Sequence, residues 1–229
     1  MSNDPTMLEH LAPGLGASDL MRLGYIRRWG IVSTIREQDV ASHSARVALL
    51  AMFVINKIVG LGVLRRDAHR YFMSYVMPTA MAMAVVHDVP EVFTGDIPAP
   101  YKKWMAKEVD PLAEPFDLTR MFGSGDEDTS APGPIALAFV HWADTVEASA
   151  FLYDNCHTPH GKAVADQIDT SEASRQLIKR LYAGGWVDEE AGTEFVHPHL
   201  ILHNELSNIV SKLRMAGTTD IGRSGWGAQ

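Results

Sequence analysis

The stretch Thr-Ala-Met-Ala-Met-Ala-Val-Val-His-Asp, residues 79–88, is the most informative segment of the sequence. Its first eight residues are mostly small or apolar all round, and a helix of that kind is buried. Its last two residues, His87 and Asp88, are costly to bury unless hydrogen bonds or a metal satisfy them. The segment therefore predicts a core helix that ends at a polar site.

Two more polar residues stand in similarly apolar surroundings. His43 follows Asp39, a good helix N-cap, in a stretch rich in Ala and Val. Asp144 lies between Ala143 and Thr145 in another apolar stretch. A single histidine on a helix is usually structural. Here three predicted helices each place a His or Asp among apolar residues, which favours one shared site.

These residues form a set of two imidazoles and two carboxylates: His43, His87, Asp88 and Asp144. Such a mixed set suits a divalent transition metal in a hydrolytic site, and the ligand types do not choose among Co²⁺, Mn²⁺, Zn²⁺ and Fe²⁺. A metal of this kind draws charge from phosphoryl oxygens and lowers the pKa of water.

The whole chain, residues 1–229, is predicted to be one all-α domain, a bundle of about six to eight helices. Strand-like alternation and internal repeats are not evident. Residues 122–134, rich in glycine and acidic residues, predict a mobile loop, and residues 217–229 predict a flexible tail. Helical spacing and breaker residues predict helices near 19–29, 40–59, 66–76, 78–89, 101–109, 135–154, 171–183 and 198–215.

Composition narrows the class of protein. The formal net charge of -8 argues against broad electrostatic binding to nucleic-acid polymers. Cys156 is the only cysteine, which excludes an internal disulfide and a cysteine-based zinc cluster. Because no uninterrupted apolar run of about 18 residues is present, we expect no membrane span and a cytoplasmic location.

Three blocks of the sequence resemble the HD-domain 5′-deoxynucleotidases, metal-dependent phosphohydrolases of the HD superfamily. They comprise Arg28 and Trp29 with residues 36–44, then residues 87–102, then Ala143 and Asp144. The second block is the most specific, because it reads His-Asp-x-x-Glu-Val-x-Thr-Gly-Asp-x-Pro-x-Pro. The resemblance extends over roughly residues 20–155 and implies an HD-domain fold for the chain.

The resemblance implies a role for each matching position. His43, His87, Asp88 and Asp144 match the metal ligands, and Glu91 and Asp96 match acidic residues at the hydrolytic water. Glu91 also lies one turn past His87, where it can take a proton from water. The expected contacts with substrate come from Arg28, Trp29, Arg36, Asp96, Ile97, Pro98, Ala99 and Lys102.

The implied activity is removal of phosphate from deoxyribonucleoside 5′-monophosphates. Two alternatives stay open: a deoxynucleoside triphosphate triphosphohydrolase that releases tripolyphosphate, and a nucleotide-binding protein without catalysis. Intact Glu91 and Asp96 beside four intact ligands favour an enzyme. A homo-oligomer, a dimer or larger, is also expected, because the family self-associates and the helix near 198–215 has apolar residues on more than one face.

Overall fold

The computed structural model describes residues 17–96, 132–191 and 196–219. Within these ranges the chain is helical apart from its connections and two isolated β-bridges, which confirms the predicted all-α class. A 3₁₀ turn spans Met21–Tyr25, and a π-helical turn spans Phe72–Val76. The α-helices are α1 (Ala17–Leu20), α2 (Val40–Gly60), α3 (Arg66–Tyr71), α4 (Met77–Val86), α5 (Glu91–Thr94), α6 (Pro132–Asn155), α7 (Pro159–Asp166), α8 (Thr170–Ala183) and α9 (Pro198–Thr219).

Helix α6 lies at the centre of the bundle and packs against α2, α4, α8 and α9. Aromatic side chains fix part of this core: Phe72 meets Phe139 edge to face, with ring centroids 6.0 Å apart. The indole N–H of Trp142, which is buried, donates to the Ser174 hydroxyl at 3.0 Å. A buried indole needs such an acceptor, so α8 is held in register against α6.

Helices α2 and α6 are long and apolar enough to cross a membrane, judged by length and composition alone. In the fold they are core helices: 50% of the apolar window of α2 and 61% of that of α6 are buried inside the structure. Burial of apolar helix faces against one another is the main favourable contribution to a helical domain. Their hydrophobicity is thus accounted for by packing within the chain.

The start of α2 is fixed by its N-cap and by the loop before it. The Asp39 carboxylate accepts a hydrogen bond from the Ser42 backbone N–H at 2.8 Å, as the sequence predicts. Backbone hydrogen bonds from Arg28 N to Gln38 O and from Val40 N to Ile26 O close the loop over residues 26–39. This closure brings Arg28 and its neighbours to the first turn of α2.

Several predicted boundaries are wrong. The first helical segment ends at Tyr25 instead of residue 29, because Arg27 leaves it to pair with Asp39. Helix α6 begins at Pro132, so residues 132–134 of the predicted loop 122–134 are helical; proline suits a first helical turn, where its missing N–H has no partner to lose. Residues 122–131 lie outside the described ranges.

The C-terminal boundary is also wrong, and one helix was missed. Helix α9 continues to Thr219, so residues 217–219 of the predicted tail 217–229 are helical, since a single glycine costs a helix only about 1 kcal/mol. Residues 220–229, and the helix predicted near 101–109, lie outside the described ranges. Residues around Pro159 form α7 instead of a loop, because Thr158 caps it by accepting from Gly161 N at 3.1 Å.

Candidate metal centre

The four predicted metal ligands lie together at one end of the bundle. His43 lies in the first turn of α2, three residues after Val40. His87 directly follows α4, and Asp144 lies in the middle of α6. One potential ligand atom from each of these three residues lies within 4.8 Å of the other two. Asp88 completes the group, since its Oδ2 is 3.6 Å from His43 Nε2 and 3.3 Å from His87 Nε2.

Both imidazole rings present the same nitrogen to this cluster. His87 Nδ1 is 2.7 Å from the Ala84 carbonyl oxygen, and His43 Nδ1 is 2.6 Å from Glu147 Oε2. Because a carbonyl and a carboxylate only accept, Nδ1 carries the hydrogen on each ring. The Nε2 atoms of both rings are buried and face carboxylates: that of His43 lies 3.0 Å from Asp144 Oδ1, and that of His87 lies 3.3 Å from Asp88 Oδ2. Two such nitrogens facing two carboxylates fit a divalent transition metal.

The electrostatics of the cluster favour an ionised Asp144. Burial alone would raise the pKa of Asp144, but the hydrogen bond from His43 and the charges of His87, His43 and Arg28 outweigh it and lower that pKa. Burial alone would lower the pKa of His43, yet its contacts with Asp144 and Glu147 raise it. The carboxylate of Asp144 is therefore ionised, as a carboxylate ligand of a metal must be.

Glu91 lies close to the cluster along the chain. It is buried, it begins α5 directly after Pro90, and its backbone N–H donates to the Asp88 carbonyl at 3.0 Å. This tight turn keeps Glu91 within one helical turn of the His87–Asp88 pair. The arrangement is compatible with the predicted role of Glu91 as a proton acceptor, which stays a prediction.

Asp96 has a contact that the sequence did not indicate. Its Oδ2 accepts a hydrogen bond from the Trp29 backbone N–H at 2.9 Å. Trp29 has a φ of 66°, the left-handed region that a bulky residue rarely occupies. Asp96 therefore holds Trp29 in a strained conformation, of the kind that clusters at functional sites. The predicted role of Asp96 at the hydrolytic water stays a prediction.

Arg28 is a buried cation whose hydrogen bonds are incomplete. Its side chain is 13% exposed, and its Nη1 lies 3.9 Å from Glu147 Oε2. Its Nε and Nη1 atoms are buried and form no hydrogen bond among the described residues. Unsatisfied buried donors are costly, and a guanidinium suits phosphate geometry. Arg28 therefore fits an anion that binds beside the histidine–aspartate cluster.

Among the remaining predicted substrate contacts, Arg36 belongs to the described part of the chain, and it does not contact the four predicted ligands. Arg36 is exposed and lines a groove of about 700 Å³ together with Leu49 and Phe53, and none of the four predicted ligands lines that groove. Ile97, Pro98, Ala99 and Lys102 lie outside the described residues. Three of the predicted substrate contacts are thus in contact with one another: Trp29 touches both Arg28 and Asp96.

Comparisons with known proteins agree with this geometry. A family model described as YfbR-like 5′-deoxynucleotidase matches residues 17–111. A 5′-deoxynucleotidase of Erwinia tasmaniensis is 36% identical over 166 residues, which cover 72% of this chain and 72% of that protein. The chain belongs to the YfbR-like 5′-deoxynucleotidase family. The resemblance seen in the sequence is confirmed.

The other relatives include one with a different named activity. A dATP triphosphohydrolase of Salmonella phage PMBT28 is 36% identical over 141 residues, which cover 60% of this chain and 66% of that protein. Three other relatives named 5′-deoxynucleotidase are matched over 37–42% of their lengths. The structure of the cyanophage S-2L HD phosphohydrolase DatZ, bound to dA and one catalytic Zn²⁺ ion, covers 86% of this chain and 98% of its own chain with a TM-score of 0.54. At 23% identity this structure supports the fold.

Sequence reasoning missed the residues behind the ligands. Glu147 lies on α6 one turn after Asp144, is buried, and contacts His43, Gln38 and Arg46. The available signal was a carboxylate three residues beyond a predicted ligand, on the same face of an apolar helix. Such a carboxylate needs partners when it is buried, and its partners here come from α2 and the loop before it.

Proposed function

We propose that the chain is a metal-dependent phosphohydrolase that removes phosphate from deoxyribonucleoside 5′-monophosphates, giving the deoxynucleoside and phosphate. The proposed metal ligands are His43, His87, Asp88 and Asp144. One observation carries the proposal: two buried imidazole nitrogens that face carboxylates lie in one cluster with a mostly buried guanidinium whose Nε and Nη1 atoms form no hydrogen bond among the described residues. That combination suits a metal and a phosphate bound side by side.

The residues of the chain have distinct parts in the proposed reaction. A bound divalent transition metal supplies Lewis acidity for water and for the phosphoryl group. Arg28 donates to the phosphate oxygens and neutralises their charge. Glu91 accepts a proton from the attacking water; the water oxygen bonds to phosphorus, the bond between phosphorus and the 5′ oxygen breaks, and the departing 5′ oxygen takes up a proton to give the deoxynucleoside. Zn²⁺ is the first ion to test, because DatZ is described with one catalytic Zn²⁺.

Trp29 is proposed to contact the sugar. Its indole ring is nearly parallel to that of Phe151, with centroids 6.2 Å apart, and the Arg28 guanidinium lies 5.2 Å from the indole centroid. The ring is thus fixed next to the proposed phosphate site. An apolar wall of this kind rejects an added hydroxyl by roughly 10²-fold, which predicts a modest preference for deoxyribose over ribose.

The second candidate activity is hydrolysis of a deoxynucleoside triphosphate with release of tripolyphosphate. It is favoured by the relative from Salmonella phage PMBT28 and by one from cyanophage S-2L, both named dATP triphosphohydrolase. The two candidates share the metal centre and differ in which phosphate product leaves. The preferred nucleotide base is measured in the same product assay.

A product assay tests the proposal. The protein, loaded with Zn²⁺ or Mn²⁺, is incubated with deoxynucleoside mono-, di- and triphosphates of all four bases, and the products are separated by ion exchange. Free phosphate from monophosphates is expected; tripolyphosphate from triphosphates would replace the proposal by the second candidate. Nucleotide binding without any product would indicate a binding protein. The His87→Ala variant serves as the control for contaminating phosphatase.

Assembly and location stay predictions. The expected dimer rested partly on α9, but Leu202 and Leu206 of that helix are fully buried within the chain, whereas Leu200 is exposed. Most of the apolar surface of α9 is therefore already covered, and the family tendency remains the main support for a homo-oligomer. Light scattering should give a multiple of 25.2 kDa. A cytoplasmic location and the absence of polymer or membrane binding are likewise proposed.

A further inference from the structure

The Glu147 carboxylate lies between the metal ligands and the proposed nucleotide site. Its Oε2 is 2.6 Å from Nδ1 of His43. Its Oε1 accepts hydrogen bonds from Gln38 Nε2 at 2.8 Å and from Arg46 Nε at 2.6 Å. Glu147 is 6% exposed, and its contacts with His43 and Gln38 are buried, whereas Arg46 reaches it from the exposed side. Both oxygens of one buried carboxylate are thus engaged by specific donors.

The hydrogen bonds continue from Glu147 to Trp29. The indole N–H of Trp29 donates to Gln38 Oε1 at 2.6 Å. The orientation of the Gln38 amide is fixed by its partners, because the indole only donates and the carboxylate only accepts. A continuous path of hydrogen bonds therefore connects Trp29, Gln38, Glu147 and His43.

The charges along this path reinforce the arrangement. Because the Glu147 carboxylate accepts hydrogen bonds, its contact at 2.6 Å places the hydrogen of the His43 ring on Nδ1 and turns Nε2 towards Asp88 and Asp144. Arg28 Nη1, 3.9 Å from the same carboxylate, is held near the cluster by the same negative charge.

We propose that Glu147 is the positioning residue that aligns the metal centre with the nucleotide site. Through Oε2 it fixes the His43 ring with Nε2 directed at the metal, and through Oε1 and Gln38 it fixes the Trp29 indole. This inference rests on the proposed function, which makes His43 a ligand and Trp29 a substrate contact. Carboxylates that orient a ligating histidine in this way typically change metal affinity by about 10–100-fold when they are removed.

Three variants separate the two arms of the path. Glu147→Gln removes the charge on both arms, and Gln38→Leu interrupts only the arm to Trp29. Glu172→Gln is the matched control, because Glu172 is a carboxylate on α8 that hydrogen-bonds Arg175 away from the cluster. Zn²⁺ affinity is measured by competition with a chromophoric chelator, and the preference for dAMP over AMP is measured by the ratio of kcat/KM values.

The expected pattern is specific to positioning. Glu147→Gln should weaken Zn²⁺ binding by roughly 10–100-fold and should also reduce the preference for dAMP. Gln38→Leu should keep Zn²⁺ affinity within a few-fold of wild type while reducing the preference for dAMP, and Glu172→Gln should change neither. Unchanged Zn²⁺ affinity in Glu147→Gln, or an unchanged preference in Gln38→Leu, overturns the proposal.

A measurement on the unmutated protein keeps the proposal testable if Glu147→Gln does not fold. Nitrogen-15 NMR of the Zn²⁺-loaded protein should show the His43 ring with hydrogen on Nδ1 and metal on Nε2. Metal on Nδ1 would overturn the positioning role. The failure of the proposed function would look different. In that case the unmutated protein would bind none of Zn²⁺, Mn²⁺, Co²⁺ and Fe²⁺, and the positioning role would be overturned with it.

Discussion

The two ends of helix α2 bury different kinds of side chain. Its first turns bury His43 and Ser44, whereas its later turns bury Val54, Ile55 and Ile58. At the polar end, the buried His43 ring depends on particular partners at particular distances, Glu147 at 2.6 Å and Asp144 at 3.0 Å. At the apolar end, burial is non-directional and depends mainly on volume and area. One helix therefore serves as scaffold at one end and as part of the candidate site at the other.

The difference predicts how each end responds to mutation. Removing one member of a buried polar cluster leaves its partners unsatisfied, so the loss spreads through the group. Removing methyl groups from the apolar end costs stability but leaves the geometry of the polar end in place. The predictions below test whether the two ends are separable in this way.

The largest effect is expected for Asp144→Ala at the polar end. Three proposed ligands would remain, so the metal and the phosphohydrolase activity should be lost together. Elemental analysis after gel filtration, alongside the product assay, measures both. Asp67→Ala, which changes an exposed aspartate on α3, should keep both. Full metal occupancy in Asp144→Ala would place the metal elsewhere.

The next largest effect is expected for Glu91→Gln. Turnover should fall by roughly 10²–10⁴-fold, the usual contribution of a general base, while the metal content stays at the wild-type level. Steady-state kinetics and elemental analysis are both required. Activity within a factor of a few of wild type would make Glu91 a bystander and transfer the proton-accepting role to Asp96.

At the apolar end, Ile55→Ala should lower the free energy of unfolding by about 2–5 kcal/mol, because Ile55 is fully buried and its loss leaves a cavity. Ile55→Val should cost only about 0.5–1.5 kcal/mol. Urea titrations followed by circular dichroism measure both values. Zn²⁺ affinity of the folded variants should match wild type; a large loss of affinity in Ile55→Ala would show that the two ends of α2 are coupled.

The smallest effect concerns the cap that begins α2. Burial alone would raise the pKa of Asp39, but hydrogen bonds with Ser42 and the charge of Arg27 outweigh it and hold that pKa below the ordinary value of an aspartate. Such a carboxylate adds stability above its unfolded pKa, and that stability is lost as pH falls through the folded pKa. The stability difference between wild type and Asp39→Asn should therefore shrink below about pH 4.

The reference variant for that prediction is Asp39→Ala, which removes the cap itself and should cost about 1 kcal/mol at neutral pH. Thermal unfolding at pH 7, 5 and 3.5 measures all three proteins. A difference between wild type and Asp39→Asn that grows as the pH falls would contradict the direction of the pKa shift.

The helices and the four predicted ligands could be inferred from the sequence because their signals are local. Apolar periodicity marks the buried face of a helix, and a His or Asp within that face stands out. The residue behind the ligands carries no local signal of its partners: Glu147 meets His43 and Gln38 across 104 and 109 positions of sequence. Contacts of that separation follow from the packing of α2 against α6.

Local reasoning also failed at turns. The short helix α7 has too few apolar residues for a clear period, and its cap at Thr158 is the main signal. The substrate contact of Arg36 comes from its place in a family-like block and stays a prediction; in the structure Arg36 lines a groove that Glu147 and Phe151 also line. A motif gives the type of residue at a position, but the direction of a loop decides what that residue reaches.

The left-handed backbone of Trp29 has a consequence for evolution of the chain. A bulky residue in that conformation is destabilising by about 1–3 kcal/mol, which glycine at the same position would avoid. The indole nevertheless supplies the contacts with Gln38 and Phe151. Under the proposed sugar contact of Trp29, selection for heat resistance and selection for catalysis act in opposite directions on residue 29, and a library screened only for thermal tolerance would drift away from tryptophan there.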